Sequence, residues 1–593
     1  MALGRLCAVA CVAAALAAAQ AARKGSPPAT PRQIAQAWLN SLTLRERVAQ
    51  LVMVPCYGDV PPARSKAWQE YVRLVRDVRV GGLIVLNRVQ GGVVQNAEPY
   101  QMAVFLNRMQ RLARVPLLVG GDFERGASMR VTQTTKFPHA MAFGAAGDLE
   151  ATRVFGQATA REARALGVHW IFAPVADVNN NPDNPIINIR SFGEDPRAVA
   201  SHVKAFIEGA HAPGGSRVLT TLKHFPGHGD TAVDSHLGLA RNDASLDRLE
   251  TVELLPFREG IAAGADSVMS AHMAVPALER EEIPATVSPA VLTKLLRERL
   301  KFRGIIVTDA MDMQGLAKQF SPGEAAVRSL LAGADLLLIP PKPEEAIQAV
   351  MSAVQSKRLD RRRIDESALR ILTAKAQAGL ARQRYVPIEN LNEALESPGA
   401  EELARSVAER AVTALRNEAA LLPLAEPARA CYFVLFESRY SVTGRRFVEA
   451  LRQRAPQARA FLLDPDRSEA VIAETVKEAP GCPVAVVATF VTPSAYRGTA
   501  TLSGSYPALM DRLLQGAAPV VMVSLGNPYL LRTYPGVAAY LTTFSNSAPS
   551  ELAAVKALFG EIPVAGKSPV SIPGIAPIGA GITIPVRTPA TTR

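Results

Sequence analysis

Short, continuous runs of apolar residues recur along the first 340 positions, and the stretches between them carry apolar side chains at helical spacing. Continuous rather than alternating runs indicate strands buried on both faces of a sheet, and the intervening periodicity predicts helices that cover those faces. Eight runs of this kind occupy residues 49–56, 80–87, 115–122, 168–177, 218–224, 265–272, 304–310 and 334–340. Eight strand–helix units predict a (β/α)8 TIM barrel, although an open α/β sheet would show the same alternation.

Reactive side chains lie at or near the C-terminal ends of several of these runs. They are Asp122, Asp177, Lys223, His224, His272 and Asp309. Because barrel enzymes assemble their active sites from strand ends of this kind, the placement favours the barrel over the open sheet.

A second α/β pattern begins near residue 400. Its apolar runs occupy residues 431–437, 458–464, 484–490, 519–526 and 537–544. Strands that alternate with helices predict a smaller, mostly parallel sheet with helices on both faces. The first strand is not followed by G-x-G-x-x-G and no Walker loop is present, so nucleotide binding is not indicated and no cofactor is expected.

The N-terminal sequence has the order of a secretory signal peptide, with one early positive charge, an apolar run and then Ala19-Gln20-Ala21. We expect cleavage after Ala21 and export to the periplasm or the extracellular space. A lipid anchor on Cys11 is disfavoured because the apolar stretch before it is short and lacks the usual leucine. The predicted segments are a signal peptide (1–21), a TIM-barrel catalytic domain (30–385), a linker (386–405), a C-terminal α/β sandwich domain (406–580) and a tail (581–593).

Composition and charge refine this picture only slightly. With 48% hydrophobic and 20% charged residues the chain is typical of a globular protein. The formal net charge is +12, but Lys and Arg are scattered along the chain. We therefore interpret the charge as a solvated basic surface and expect no nucleic-acid partner. We further expect a monomer with no stable membrane insertion.

Signal cleavage would leave three cysteines, Cys56, Cys431 and Cys482. They are too few and too far apart for a disulfide framework or a cysteine-rich zinc site. At most a Cys431–Cys482 bridge is conceivable, and buried free thiols are the favoured expectation.

The stretch TLKHFPGHGDTAVDSHLGLA contains three of the eight histidines, His224, His228 and His236. His224 and His228 have the four-residue spacing of zinc-binding helices, but the proline–glycine pair between them prevents a regular helix. H-E-x-x-H is also absent, and no metal site is predicted. The glycines and the proline instead predict a specially shaped loop after a strand.

Asp234-Ser235-His236 in this loop predicts a proton-transfer pair. Residues two apart point the same way in extended backbone, so Asp234 is expected to bond one imidazole nitrogen of His236 and leave the other for a substrate. Free histidine has a pKa of about 6.5, which suits proton exchange near neutral pH. Asp309 has the position of a catalytic carboxylate at the end of the seventh run, although a helix N-cap would also use Asp.

Further polar residues predict a pocket around these groups. Asp122 and Arg130 lie in GGDFERGASMR, and Arg190 lies in NPIINIRSFGEDP. Singly, each would be interpreted as part of a structural ion pair. Together at a barrel mouth they predict a polar pocket that binds several hydroxyl groups.

These residues resemble glycoside hydrolase family 3, in its β-N-acetylglucosaminidase branch, and the resemblance covers nearly the whole mature chain. The most specific element is KHFPGHGDTAVDSH (223–236), which combines Lys-His with Asp-x-His. Supporting elements lie at 136–146, 172–196, 268–279 and 304–316 in the first domain, and at 408–424 and 566–574 in the second.

The resemblance implies a retaining, exo-acting hydrolase that releases terminal β-linked N-acetylglucosamine from murein fragments or chitooligosaccharides. Asp309 matches the nucleophile, and His236, held by Asp234, matches the general acid/base of this branch. The positions that grip the hydroxyl groups of the sugar are matched by Asp122, Arg130, Arg190, Lys223 and His224.

The chain departs from the family at D-x-E-G-G-x-V-x-R, which here has Arg125 for the first Gly and Ser128 for Val. Thr308 precedes Asp309 where Ser is usual, and no catalytic position is lost. Three alternatives stay open: a family 3 β-glucosidase, an N-acetylglucosaminide phosphorylase with phosphate as acceptor, and a non-catalytic cell-wall sugar-binding protein. The intact Asp309, His236 and Asp234 argue against the last.

Overall fold

The computed structural model describes residues 29–91, 93–212, 217–467, 470–471, 473–474 and 481–587. The predicted signal peptide (1–21) lies outside the described residues. Each of the eight apolar runs in the first part of the chain contains one strand. The strands are β1 (Val52–Cys56), β2 (Gly82–Val85), β3 (Leu118–Gly121), β4 (Trp170–Ile171), β5 (Thr221–Phe225), β6 (Ser267–Ser270), β7 (Ile305–Thr308) and β8 (Leu337–Leu338).

These eight strands form two parallel sheets. One has the order β8-β1-β2-β3-β4 and the other the order β7-β6-β5. Isolated parallel bridges, Trp170 with Leu219 and Val307 with Leu336, connect the two sheets at both of their junctions. Every residue of β2, β3, β6 and β7 is buried, as continuous apolar runs predict for strands covered on both faces.

Helices follow most of these strands and pack over them. Their bounds are Pro31–Asn40, Leu44–Gln50, Lys66–Val72, Pro99–Leu112, Ala140–Ala146, Leu149–Ala165, Pro196–Ala210, Leu246–Thr251, Leu255–Ala262, Gln314–Ala317, Pro322–Ala332, Pro343–Gln355 and Arg361–Gln377, with π-helical turns at Arg73–Val78 and Ala290–Arg299. Local sequence explains where several begin. Thr43 and Glu46 form a capping box, and Asp195 caps the helix whose first residue is Pro196.

The second part of the chain forms one six-stranded sheet. Its strands are β9 (Thr413–Asn417), β10 (Cys431–Leu435), β11 (Arg459–Leu463), β12 (Ala485–Thr489), β13 (Val520–Ser524) and β14 (Ala539–Thr542), in the order β9-β14-β13-β12-β10-β11. Only β9 runs antiparallel to its neighbour. The predicted α/β class with mostly parallel sheets is therefore confirmed, and each of the five predicted runs contains a strand.

This sheet is covered on both faces. Alternate residues of β10 belong to two separate apolar cores, Phe433 to one and Tyr432 with Val434 to the other. The helices of this part are Leu391–Leu395, Pro398–Ala411, Arg445–Arg454, Tyr506–Gln515, Leu530–Thr533 and Ala548–Phe559. The first two cover part of the segment predicted as a linker. Their buried residues Leu391, Leu395, Ala400, Ala404 and Val407 join the apolar core of the first part, whereas Ala408 and Ala411 join the two cores of the six-stranded sheet.

The two parts of the chain share a buried contact. Asn179 Nδ2 donates to the Tyr529 hydroxyl at 2.9 Å, and Asn188 Nδ2 donates to Asn527 Oδ1 at 3.2 Å. Glu194 accepts from both the backbone N–H and the hydroxyl of Ser571 at 2.8 Å. Polar groups that are buried and satisfied in this way fix one part relative to the other.

Two further observations concern the ends of the predicted segments and the membrane. Ile582 and Ile584, in the segment predicted as a tail, form antiparallel bridges with Ala414 and Val564.

Among the described residues, no helix combines the length and the apolar character that crossing a membrane requires.

Cys431 and Cys482 form a disulfide with a Cα–Cα distance of 5.7 Å. The expectation of buried free thiols is therefore wrong for this pair. Strand pairing is the reason, because Cys431 begins β10 beside β12 and Cys482 lies just before β12, a proximity that their separation of 51 residues does not reveal. Cys56 is a buried free thiol, as expected.

We predict that the double variant Cys431→Ser, Cys482→Ser lowers the free energy of unfolding of the second part by about 2–4 kcal/mol, because the open chain regains loop entropy. Denaturant-induced unfolding measures the change. Peptide mapping of the wild-type protein without reductant should recover Cys431 and Cys482 in one linked species. Recovery of both as free thiols would contradict the prediction.

Candidate active site

Parallel pairing brings the reactive strand ends to one edge of the first two sheets. Asp122 follows β3, and Lys223 and His224 lie within β5. His272 follows β6 and Asp309 follows β7. Because the carboxyl ends of parallel strands meet at the same edge, side chains from four strands face one cleft.

Asp309 is held directly at the end of its strand. Its backbone N–H donates to the Ser270 carbonyl at 3.1 Å, and its Oδ1 accepts from the Ala310 N–H at 2.8 Å. Burial alone would raise the pKa of Asp309, but the imidazoles of His224, His272 and His236 together with the Ala310 N–H lower the pKa below its ordinary value. The carboxylate is therefore ionised at neutral pH and available as a nucleophile.

Asp234 and His236 form the predicted pair, with Asp234 Oδ1 2.7 Å from His236 Nδ1. The backbone differs from the extended form expected from the sequence. Asp234 Oδ1 also accepts from the His236 N–H at 2.9 Å, and the Asp234 carbonyl accepts from the N–H of Leu237 at 2.9 Å, so the segment is a turn closed by the aspartate side chain. Among the described residues, Nε2 of His236 has no hydrogen-bond partner and is available to a ligand.

The second oxygen of Asp234 is occupied from the other part of the chain. Tyr496 donates its backbone N–H to Asp234 Oδ2 at 3.0 Å across 262 sequence positions. The Tyr496 ring also meets the His236 ring edge to face, with centroids 5.1 Å apart. Burial would raise the pKa of Asp234, but the bonds from His236 and Tyr496 lower it, so this carboxylate stays charged beside the imidazole.

Asp177 and Arg190 orient His224. Asp177 Oδ2 lies 2.7 Å from Nδ1 of His224, and Arg190 Nη2 lies 3.2 Å from its Nε2. Arginine can only donate, so Nε2 accepts and the ring proton of His224 is assigned to Nδ1. Asp177 Oδ1 also accepts from the backbone N–H groups of His224 and His228, which fixes the loop after β5 to the loop after β4.

Lys223 and the four charged groups around it form a cluster of three cations and two anions, which we call the Lys223 cluster. Lys223 Nζ is 2.9 Å from Asp122 Oδ1 and 2.6 Å from Glu124 Oε1, although only 2% of its side chain is exposed. Arg190 binds both oxygens of Glu124, at 2.9 and 2.8 Å. Arg130 donates to Asp122 at 2.8 Å and also to Asn87. Rigid, paired charges of this kind present oriented donors and acceptors to hydroxyl groups.

Glu124 and His272 are members of the site that were absent from the predicted binding residues. Burial would raise the pKa of Glu124, but Arg190 and Lys223 hold it well below its ordinary value. His272 Nδ1 is 2.8 Å from Thr286 Oγ1, and its Nε2 is 2.9 Å from the Ala310 carbonyl beside Asp309. Their sequence signals were present, since both lie at strand ends, whereas nothing local in the sequence indicates Tyr496.

His228 and Asp230 hold the loop after β5 through contacts with its own residues and with Arg248. Both ring nitrogens of His228 are engaged, Nδ1 with Thr231 at 2.8 Å and Nε2 with Ser235 at 3.0 Å. Burial lowers the pKa of His228 to about 4, so the ring is neutral. Asp230 pairs with Arg248 at 3.1 Å. In the part of the chain that the structure describes, no group of three or more His, Cys, Asp or Glu side chains is arranged to hold a metal ion.

The substituted motif keeps its contacts. Asp122, Glu124 and Arg130 all lie in the Lys223 cluster despite Arg125 in place of glycine. Among the described residues, Arg125 has neither a hydrogen-bond partner nor an ion-pair partner. Gly126 has a φ of 83°, so the glycine that remains carries the left-handed backbone of this turn.

Comparison with known proteins identifies the family. Residues 43–374 match the model of the glycosyl hydrolase family 3 N-terminal domain. Beta-hexosaminidase A of Pseudoalteromonas piscicida is 33% identical over 409 residues, which cover 64% of this chain and about two thirds (66%) of that relative. The beta-N-acetylglucosaminidase/beta-glucosidase of Cellulomonas fimi is 29% identical over 547 residues, covering 88% of this chain and 93% of that relative.

A solved structure is similar over nearly its full length. The glycoside hydrolase family 3 beta-N-acetylglucosaminidase of Paenibacillus sp. str. FPU-7 superposes with a TM-score of 0.79 at 31% identity. The match covers 90% of this chain and 99% of that protein.

We predict that Glu124→Gln lowers the free energy of unfolding by about 3–5 kcal/mol at pH 7, because Lys223 and Arg190 lose their shared buried counter-charge. Chemical denaturation measures the loss. Glu150→Gln, which removes an exposed partner of Arg153, is the control and should leave stability unchanged.

The pH dependence gives a second test of the same variant. The pKa of Glu124 is depressed in the folded state, so its contribution is complete above the unfolded pKa of about 4.3 and is lost as the pH falls toward the folded value. The difference in the free energy of unfolding between wild type and Glu124→Gln should therefore become smaller below about pH 4. If Glu124→Gln and Glu150→Gln lost the same free energy of unfolding at pH 7, the buried charge cluster would not contribute to stability as proposed.

Proposed function

This chain belongs to glycoside hydrolase family 3, and we propose that it is a retaining exo-β-N-acetylglucosaminidase. It hydrolyses terminal β-linked N-acetylglucosamine through a covalent glycosyl-enzyme. The observation that carries the proposal is the pairing of an ionised carboxylate, Asp309, with an Asp234–His236 dyad in the same cleft. The names of the Pseudoalteromonas, Cellulomonas and Paenibacillus relatives support the same substrate class.

In the first step an Asp309 oxygen bonds to the anomeric carbon as the bond from that carbon to the leaving-group oxygen breaks. His236, protonated at the start, gives the Nε2 proton to the leaving oxygen and becomes neutral. Asp234 stabilises the cationic imidazole before the transfer and fixes Nδ1 as the nitrogen that keeps its proton.

In the second step water attacks the anomeric carbon of the glycosyl-enzyme. Nε2 of neutral His236 takes a proton from that water, the bond to Asp309 breaks, and the carboxylate is regenerated. Two displacements at one carbon retain the β configuration.

The Lys223 cluster binds the sugar hydroxyls in this proposal. Asp122 and Glu124 accept hydrogen bonds, and Lys223, Arg130 and Arg190 donate them. His224 is held from both sides, by Asp177 at Nδ1 and by Arg190 at Nε2, and packs its ring next to this cluster. Several donors in fixed positions orient the anomeric carbon toward the nucleophile.

We also infer that the first eight strands close into a TIM barrel and that the second part is an α/β sandwich. The parallel sheets, with bridges at both junctions, support the barrel. Apolar cores on both faces of the six-stranded sheet support the sandwich.

Two enzymatic alternatives differ in acceptor or sugar. A β-glucosidase of this family takes its acid/base from a glutamate of the second domain, whereas the dyad here lies in the first. Comparable rates on aryl β-glucoside and aryl β-N-acetylglucosaminide would favour that alternative. The phosphorylase alternative stays open because a histidine that has given up its proton is uncharged and does not repel phosphate. Product analysis with and without phosphate distinguishes phosphorolysis from hydrolysis.

We propose that the protein acts outside the cytoplasm on murein fragments or chitooligosaccharides. The N-terminal signal-like sequence supports export. The Cys431–Cys482 disulfide agrees with it, because such bonds persist in oxidising compartments.

We predict that Asp309→Asn reduces kcat/KM on 4-nitrophenyl β-N-acetylglucosaminide by on the order of 10⁴-fold, because the nucleophile is lost. Asp243→Asn, which changes an exposed carboxylate paired with Arg241, is the control and should keep wild-type activity. Steady-state kinetics with both variants measures the difference. Unchanged turnover in Asp309→Asn would rule out the proposed mechanism.

We predict that His236→Ala lowers kcat/KM on N,N′-diacetylchitobiose by about 10²- to 10⁴-fold, since its poor leaving group needs a proton. With 2,4-dinitrophenyl β-N-acetylglucosaminide, whose leaving group departs unprotonated, the loss in this first step should be much smaller. Equal losses on the two substrates would indicate that His236 is not the acid.

A further inference from the structure

A cavity of about 650 Å³, which we call the Arg452 cavity, is formed by residues of the second part of the chain alone. Three arginines and three apolar side chains account for most of its lining. They are Arg439, Arg445 and Arg452, with Phe436, Val448 and Leu462. The volume is typical of a cleft that binds a ligand, and the lining suits one with both apolar and anionic groups.

The Arg452 cavity lies at the carboxyl edge of the six-stranded sheet. Phe436 directly follows β10, and Leu462 is the penultimate residue of β11. β10 lies between β11 and β12, so the chain leaves β10 toward one side of the sheet and later returns to the other. Ligands of open α/β sheets bind outside the carboxyl ends of the strands, beside a reversal of strand order of this kind.

The arginines of the cavity differ from their neighbours in having no carboxylate partner. Residues 439–454 contain five arginines and one acidic residue, Glu449. Arg446 pairs with Glu449 at 2.6 Å, which neutralises the acidic residue of the lining, and Arg454 pairs with Glu561 at 2.6 Å. The three arginines that line the cavity form no ion pair with any residue that the structure describes. Guanidinium groups left unpaired around one cavity predict an anionic ligand.

The wall that carries these arginines is held in place from behind. Two of them lie seven residues apart on one face of the helix Arg445–Arg454. Glu551 fixes the start of this helix, because it accepts from the N–H groups of Gly444 at 2.9 Å and Phe447 at 2.8 Å. These N–H groups are therefore satisfied within the protein. The attraction for an anion comes from the arginine side chains rather than from the helix N-terminus.

The cavity and the catalytic loop lie at the same edge but are separate. Glu437, next to Phe436, pairs with Arg497 at 3.4 Å, and Arg497 follows the residue whose N–H bonds Asp234. Two strand spacings, about 10 Å, separate β11 at the cavity from β12. A polymer held in the cavity would therefore lie close to the catalytic cleft without occupying it.

We propose that the Arg452 cavity is a second binding site, and that its ligand is an acidic glycan that bears carboxylates, namely murein. The inference rests on the proposed function, which leaves murein and chitin open, and it selects between them. Murein carries carboxylates on its lactyl groups and peptides, whereas chitin is uncharged. Arginine binds a carboxylate through two parallel N–H···O bonds, and the apolar lining suits the C–H groups of sugars and peptide side chains. Nucleic acid is also anionic, but the proposed export and substrate class favour a glycan.

The experiment measures binding to purified murein sacculi by co-sedimentation. Every sample carries Asp309→Asn, so that the sacculi are not degraded. Arg439→Gln with Arg452→Gln removes two charges from the cavity. Arg361→Gln with Arg362→Gln is the matched control, because it removes two exposed arginines from the first part of the chain. Chitin and sacculi with amidated carboxylates are the control ligands.

We predict that the cavity double variant binds sacculi about tenfold more weakly, because two exposed ion pairs with the ligand are lost. The control double variant should bind as the Asp309→Asn protein does. Chitin and amidated sacculi should bind all three proteins equally and more weakly than native sacculi. With Asp309 restored, the cavity variant should hydrolyse 4-nitrophenyl β-N-acetylglucosaminide at the wild-type rate, since this small substrate does not reach the cavity.

Equal binding of sacculi by the cavity and control variants would overturn the site. Equal binding of native and amidated sacculi would overturn a carboxylate ligand, and tighter binding of double-stranded DNA than of sacculi would overturn a glycan. Slower aryl hydrolysis by the cavity variant would contradict the separation of the cavity from the cleft. Failure of the wild type to cleave the aryl substrate would instead overturn the proposed function, and the binding results would be unaffected.

Discussion

Parallel strand pairing is the constraint on which the site depends, because it places the carboxyl ends of neighbouring strands at one edge of a sheet. The first part of the chain uses this edge for Asp309 and the Lys223 cluster. The six-stranded sheet of the second part turns its own carboxyl edge toward the edge of the first part. Tyr496 follows β12, and Asn527 and Tyr529 follow β13, and all three contact loops of the first part. The cleft is thus formed by two opposed carboxyl edges.

Charge compensation allows so many ionisable groups to share this cleft. Glu124 is bonded by Lys223 and Arg190, and buried cations and anions in contact lower each other's cost of desolvation. The histidines near Asp309 keep its carboxylate ionised against burial. In the Asp234–His236 pair both carboxylate oxygens of Asp234 are bonded, and within the part of the chain that the structure describes Nε2 of His236 has no hydrogen-bond partner.

Strands β1 to β8 and β10 to β14 could be predicted from the sequence because each coincides with a continuous apolar run, and the predicted residues at strand ends do converge. Features set by distant contacts could not be predicted. The edge strand β9 has no long apolar run, the Cys431–Cys482 disulfide depends on strand order, and Tyr496 reaches Asp234 only through the packing of the two parts. The turn at Asp234 was missed because D-x-H fits both extended and turn backbone, and only the side-chain bond to the His236 N–H decides between them.

The central claim is that Asp309 forms a covalent bond with the anomeric carbon. Incubation with a 5-fluoro-N-acetylglucosaminyl fluoride, which forms such an intermediate faster than it is hydrolysed, followed by proteolysis and tandem mass spectrometry, tests it most directly. If Asp309 is the nucleophile, we expect a single added sugar on the peptide containing Asp309, at that carboxylate. Inactivation without an adduct, or an adduct on another residue, would contradict it.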